Sequence, residues 1–325
     1  MPGLVDRVDG FQRRHRLLGA PIGVVYKFFD DQGGYLAAVL TYYAFVAIFP
    51  MMLIASSVLG FVLQGQPSLQ QSILSSALAQ FPIVGDQLGR PEGIRGSTSA
   101  VVVGSLAALY GVVGLGQAAQ NAVNVTWAIP RNSRLNPIVS RLRSLVWLVL
   151  AGLALVLIAV LTSLGSNLDV FGLNLGRGLR WLTVAATVVL NTAVLAVMVL
   201  LSTPQRNRLR EVIPGAAAIA VLWHLLQVLG GQYVEHVIGK AGQMNGVFAV
   251  VLGLVALLYL ASVIAVLGLE INVVLAKRLY PRALLTPFTD AVQLTEADKT
   301  VYREYAQAQR HKGFERVQVS FDDKA

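Results

Sequence analysis

Apolar residues along this chain gather into six stretches separated by shorter, arginine-rich connections. The stretches cover residues 36–63, 98–125, 144–165, 180–202, 212–236 and 247–276. Each is near or above the roughly 20 residues a helix needs to cross about 30 Å of hydrocarbon. Polar and apolar positions do not alternate as they do in the strands of a membrane barrel. A backbone in lipid has no water to bond, so helices that satisfy their own amides are the expected form. The pattern predicts an all-α, polytopic membrane protein with six transmembrane helices. A segment over residues 1–35 leads into a transmembrane domain over 36–278, and a soluble tail over 279–325 follows.

The connections set the orientation. Arg7, Arg13, Arg14, Arg16 and Lys27 precede the first span, and Arg131, Arg134, Arg141 and Arg143 fill the second connection. Arg206, Arg208 and Arg210 fill the fourth, and Lys277, Arg278 and Arg282 open the tail. Those fifteen stand against five on the other side, Arg90, Arg95, Arg177, Arg180 and Lys240. Basic residues accumulate on the cytoplasmic side, so both termini are expected there. Trp127, Trp147 and Trp181 fall near span ends, where indole rings favour the interface, whereas Trp223 is deeper and is expected to pack inside.

Two segments read as short interfacial helices. Residues 22–31 mix apolar and charged groups before the first span. Residues 67–81 place Leu69, Ile73, Ala77 and Phe81 on one apolar face, which either lies on the outer membrane surface or packs on the span ends. In the tail, Thr295 and Asp298 have the spacing of a capping box and predict a helix to about Gln309. That tail either binds a partner or is solvated.

Composition narrows the chemistry. Mean hydropathy is +0.63 and 13% of residues are charged, about half the share in soluble domains. The net charge of +9 sits mainly in the connections, where orientation accounts for it and no nucleic-acid partner is required. The absence of cysteine excludes disulfides, thiolate ligands and a cysteine nucleophile. His15, His224, His236 and His311 are scattered, so neither a metal site nor a catalytic residue is assigned. No glycine-rich phosphate loop is present, so no ATP site and no cofactor are expected. Residues 1–30 lack an apolar core before a small-residue cleavage site, so no removed leader is expected.

Polar residues inside spans are costly unless paired or wetted. Gln117, Gln120, Asn121 and Asn124 fall at i, i+3, i+4 and i+7, one stripe of a helix. They either bond neighbouring helices or line a polar cavity. Upstream, Gly104, Ala108, Gly111 and Gly114 suit a close helix–helix approach. Thr41, Tyr42 and Tyr43 precede Pro50, which removes a backbone bond and acts as a hinge or a bend. Glu270 is the one acid well inside a span. It either pairs with an arginine such as Arg141 or Arg143, or binds a cation or proton. Asn272 is nearby. His224 and Gln227 are one turn apart and read as hydrogen-bonded structure or a relay. Gln243, Asn245 and Gly246 are read as a turn opening the last span.

In this order, these motifs resemble the YihY or BrkB family, also called the virulence factor BrkB family, of bacterial inner-membrane proteins. The resemblance is carried by LTYYAFVAIFP (40–50), QNAVNVTW (120–127), VIPGAAA (212–218) and NGVFAVVLGLVALLYLASVIAVLGLEINVVL (245–275). Phe248 stands where the family has tyrosine. The resemblance implies six helices and a plasma-membrane address. It marks Tyr42, Pro50, Asn121, Asn124, Asn245, Gly246, Glu270 and Asn272 as motif positions. Lipid transport has been suspected for such proteins, and a ribonuclease label travels with them that no metal-ligand set here supports.

Three readings follow. In the first, Tyr42, Gln117, Gln120, Asn121, Asn124 and Glu270 form a polar cleft of a transporter or flippase that moves a lipid or other amphiphile without its own ATP site. In the second, the chain is an interaction or assembly protein of the cell envelope, and an oligomer is compatible with either. The third is an RNA-processing or intramembrane enzyme. Under all three, reporter fusions after Asn132, Asn207 and Phe288 should report cytoplasm, and fusions after Gln87 and Asn174 should report the exterior. An external signal at Phe288 would mean an odd number of crossings.

Overall fold

A computed structural model describes residues 4–14, 16–62, 98–167, 177–202, 207–237, 243–286, 288–290 and 292–322. Among these the regular structure is helical: α1 (Leu4–Arg14), α2 (Arg16–Asp30), α3 (Gly33–Val62), α4 (Thr98–Thr126), α5 (Pro137–Asn167), α6 (Arg177–Ser202), α7 (Leu209–Val237), α8 (Gln243–Lys277) and α9 (Glu296–Ala308), with one 3-10 turn at Arg131–Ser133. Among the described residues, four stretches are long and apolar enough to cross a membrane: Pro137–Ala154, Val184–Ser202, Leu209–Gly230 and Val251–Lys277. The apolar run Gly33–Ile48 in α3 is shorter. The expected interfacial helix at 67–81 lies outside the described residues, as do the side chains of Pro50, Asn245, Gly246 and Phe248.

The six long helices form a closed ring in chain order, each packed on the next and α8 returning to α3. Neighbours run antiparallel. Gln120 and Gly116 of α4 meet Ser144 of α5, and Trp147 Nε1 of α5 donates to Met198 O of α6 at 3.0 Å. The ring is apolar on its outside, the reverse of a soluble bundle, and its interior is mainly apolar with a few buried polar groups. Leu153, Val189, Leu229 and Leu252 are exposed, while Gln120, Glu270 and Asn272 are buried. A contiguous apolar exterior of this kind marks a surface that meets lipid or protein rather than water.

Local chemistry fixes several ends. α5 begins seven residues before its apolar run because Pro137 suits the first helical position and Asn136 Oδ1 accepts the Ile138 amide at 2.9 Å. The last of the six long helices, α8, begins at Gln243, so Asn245 and Gly246 fall in its first turn rather than in a turn before it. α9 starts where the sequence placed a capping box, with the Asp298 amide bonded to Thr295 Oγ1 at 3.1 Å. The tail is not simply solvated, however: Val301 is fully buried in the core. Asn132 and Arg310 also bond, tying the α4–α5 connection to the tail at one end of the ring.

Glycines set the closest approaches. Gly111 and Gly114 of α4 lie against Val46, Ala47 and Tyr43 of α3. The tightest crossing joins α7 and α8, where a Cβ on Gly215 would overlap the Gly268 carbonyl and one on Gly268 would overlap Ile219. Pro214 lies inside α7 and cannot donate, and the next amide, Gly215 N, donates to Asn272 Oδ1 at 2.6 Å. Gly268→Val should therefore destabilise the purified protein by about 1–3 kcal/mol through overpacking, read as a lower melting temperature in detergent. Gly152, with nothing within 4 Å of an added Cβ, should accept alanine with a gain of about 0.5–1 kcal/mol.

Candidate functional site

The polar groups of the bundle do not form one cleft. Glu270 joins an ion cluster at the end that carries both termini, and this cluster is separate from an apolar cavity in the middle. The cluster centres on Lys27. Residues 16–30 form a helix whose inner face must pass under α8, and Gly23 permits this: a Cβ there would lie 3.0 Å from Leu279 O. One turn later Lys27 is fully buried. Its ammonium forms an ion pair with Asp31 four residues on, donates to Thr126 O at 3.0 Å, and lies 3.7 Å from Glu270 Oε2. It also sits 5.1 Å from the centroid of the Tyr305 ring of α9. One cation thus joins α2, the end of α4, α8 and the tail helix.

The partner of Glu270 is therefore Lys27, and the expectation of Arg141 or Arg143 is corrected. α5 packs between α4 and α6, so its arginines point elsewhere. Arg141 is exposed, and Arg143 Nη1 donates to Leu201 O at the end of α6 at 2.8 Å. Both carboxylate oxygens of Glu270 lack a hydrogen-bond donor.

A second buried cation holds the tail. Arg282 Nη2 donates to Asp30 Oδ2 at 2.9 Å, and its Nε pairs with Asp298. The guanidinium sits 5.9 Å from the ring centroids of both Tyr26 and Tyr302. Asp298 also accepts the Thr295 amide at 2.9 Å and the Ala283 amide at 3.1 Å, so the capping box and the ion pair share one carboxylate. Burial pushes the Asp30 carboxyl above its usual value despite Arg282 beside it. Burial, and then the Asp31 carboxylate, hold the Tyr305 hydroxyl far above the ordinary tyrosine range. Lys277 closes the edge, donating to Glu304 Oε2 at 2.9 Å and Trp127 O at 3.0 Å.

The amide stripe is divided. Gln120 is buried and works as a clamp between α4 and α5: its Nε2 lies 3.0 Å from both Ser140 O and Ser144 Oγ, and its Oε1 accepts from Ser140 Oγ at 3.0 Å. Asn121 is exposed, and Gln117 and Asn124 are half-buried, with Asn124 Oδ1 lacking a donor. Tyr42 is 55% exposed, its ring edge-on to Tyr43. Thr41, one position earlier, is the inward group and donates to Ala37 O at 2.7 Å, with Ser262 Oγ 3.2 Å away. Each residue advances a helix by about 100°, so a stripe four positions wide on α4 meets α5 with one edge and the outside with the other.

Between the six long helices lies a cavity of about 290 Å³. Its wall is almost wholly apolar, with Ser144 and Ser262 the polar side chains on it. None of Tyr42, Gln117, Gln120, Asn121, Asn124 and Glu270 lines it.

The virulence factor BrkB family model matches residues 24–290. The chain belongs to the BrkB family. No curated protein and no solved structure matches it. The BrkB match takes in Lys27, Asp30, Asp31, Glu270 and Arg282, while Asp298 and Tyr305 of α9 lie beyond it. Sequence reasoning singled out Glu270 as a buried acid and Asp298 as a capping residue, counted Lys27 and Arg282 only as orienting charges, and missed Asp30, Asp31 and Tyr305. One signal was available for Lys27 and Asp31: an opposite-charge pair at i, i+4 in a mostly apolar segment.

The BrkB tail should titrate through Tyr305. Its hydroxyl is protonated when docked and has no hydrogen-bond partner, and an undocked tyrosine ionises near about pH 10. A group whose value is raised in the docked state contributes stability below that point and loses it above. Docking should weaken by about 1.4 kcal/mol for each pH unit above about 10. Tyr305→Phe should dock normally at neutral pH and lose that part of the alkaline weakening, read as the rate of proteolytic nicking between Ala308 and Arg316. An unchanged alkaline profile would place the ring in solvent.

Proposed function

We propose that this BrkB-family membrane protein is a transporter or flippase that moves a lipid or similar amphiphile, with no ATP site of its own. The central cavity carries the reading. At about 290 Å³ it lies just below the roughly 300–1,000 Å³ typical of ligand pockets. Its lining favours hydrocarbon over water or ions, since apolar cavities stay dry and accept apolar ligands. A path for a hydrated ion would need rings of charge or carbonyl groups instead. An acyl chain in the cavity would touch every helix of the ring, so its passage and the ring's rearrangement would be one event. The frame of this reading is six membrane crossings in a bacterial plasma membrane, with both termini cytoplasmic and the ion cluster at the inner end.

A second reading draws support from Gln120, whose amide serves as a clamp between helices. In it the chain is an assembly protein of the cell envelope that holds lipid without moving it.

Ala261 and Ala265 line the cavity and are half-buried. Replacing either with phenylalanine should fill it while the protein stays monodisperse. Transbilayer movement of a labelled lipid in proteoliposomes should then fall at least about tenfold, corresponding to about 1.4 kcal/mol of lost interaction. Retained lipid with no movement in the parent protein would favour the assembly reading.

A further inference from the structure

The cavity and the ion cluster are separate compartments, and the cluster supports an inference that does not depend on amphiphile transport. We propose that Glu270, with Lys27 and Asp31, forms a proton-binding site: Glu270 holds one exchangeable proton where α2, α8 and α9 meet.

The site is a sealed space whose charges do not balance. The site contains one ammonium and two carboxylates, and no side chain of the three is more than 1% exposed. Lys27 is already engaged, closely by Asp31 and at 3.0 Å by Thr126 O. Its 3.7 Å separation from Glu270 Oε2 is an ion-pair distance, too long for a hydrogen bond. Neither Glu270 oxygen has any other donor. Two ionised carboxylates would leave a net negative charge with no donor facing it, the most costly arrangement for a group removed from water. Protonation removes that charge: one O–H bond forms on a Glu270 oxygen, and a neutral acid sits beside a matched Lys27–Asp31 pair.

Among the described residues no other group supplies the missing cation. α3 and α4 contain no charged residue. From α9, Tyr305 presents a neutral ring to Lys27 and an unpartnered hydroxyl. Arg282 is committed to Asp30 and Asp298, and Lys277 to Glu304. On α7, Glu211 accepts its own Arg208 amide at 2.9 Å. The proton therefore sits at the seam between the ring and its cap of α2 and α9, and its release charges that seam.

The test uses the full-length protein in lipid nanodiscs and infrared difference spectra between acid and alkaline pH. With carboxyl-¹³C glutamate, the parent should show an isotope-shifted carboxylic acid C=O band that persists at neutral pH and is lost at alkaline pH. Glu270→Gln should lack the band and should fold, because the amide mimics the neutral acid. Should that variant fail to fold, Glu270→Asp should move the band to a sample labelled on aspartate. Absence of the band in the labelled parent, or its survival in Glu270→Gln, overturns the proposal. So does a band governed by replacing sodium with a bulky organic cation rather than by pH, which would assign the site to a metal cation.

Discussion

The structure depends on the burial of one lysine. A lone ammonium taken out of water costs several kcal/mol even after relaxation, and Lys27 is buried completely. Each of its contacts therefore has a structural consequence. Asp31 fixes the end of α2, Thr126 O fixes the last turn of α4, Glu270 places α8, and the Tyr305 ring draws in α9. Arg282 repeats the device one layer out, with Asp30 from α2 and Asp298 from α9. The residues before and after the helix ring are joined to each other through these two cations, and so the chain ends form a cap.

The ring itself is held by a different interaction. Lipid offers no hydrophobic incentive for helices to associate, so close backbone approach and buried hydrogen bonds must do it. The crossing of α7 and α8 combines both, since Gly215 and Gly268 let the backbones meet and Asn272 accepts the Gly215 amide. The segment VIPGAAA and the exit LGLEIN are thus two halves of one joint. This assigns a role to Asn272 that spacing along the sequence does not contain.

What the sequence made legible was periodicity and composition: the long helices, the capping box of α9 and the small-residue face of α4. What it did not reveal was pairing across distance. Glu270 was visible as a buried acid, but Lys27 is 243 positions away in sequence and lies in a segment that reads as interfacial. The amide stripe is divided for a geometric reason. Helical spacing places Gln117, Gln120, Asn121 and Asn124 near one another, yet only packing decides that Gln120 meets Ser140 and Ser144 while Asn121 faces out. Tyr42 and Thr41 make the same point on α3, where the inward group is the smaller neighbour.

The cavity and the ion cluster share α8, and their relation follows from helical geometry. Leu269 lines the cavity and the next residue, Glu270, enters the cluster, so about 100° of turn separates the apolar cavity wall from a buried carboxyl. α8 packs on α3, α4, α7 and α2, and the glycine joint with α7 lies within one turn of both residues. A close-packed helix cannot deform at one position alone. Any rotation of α8 that widens the cavity wall at Leu269 must also move Glu270 relative to Lys27, an interaction already stretched to 3.7 Å. The cavity wall and the cluster therefore share one helix, whose tightest backbone contact is with α7 at Gly215 and Gly268.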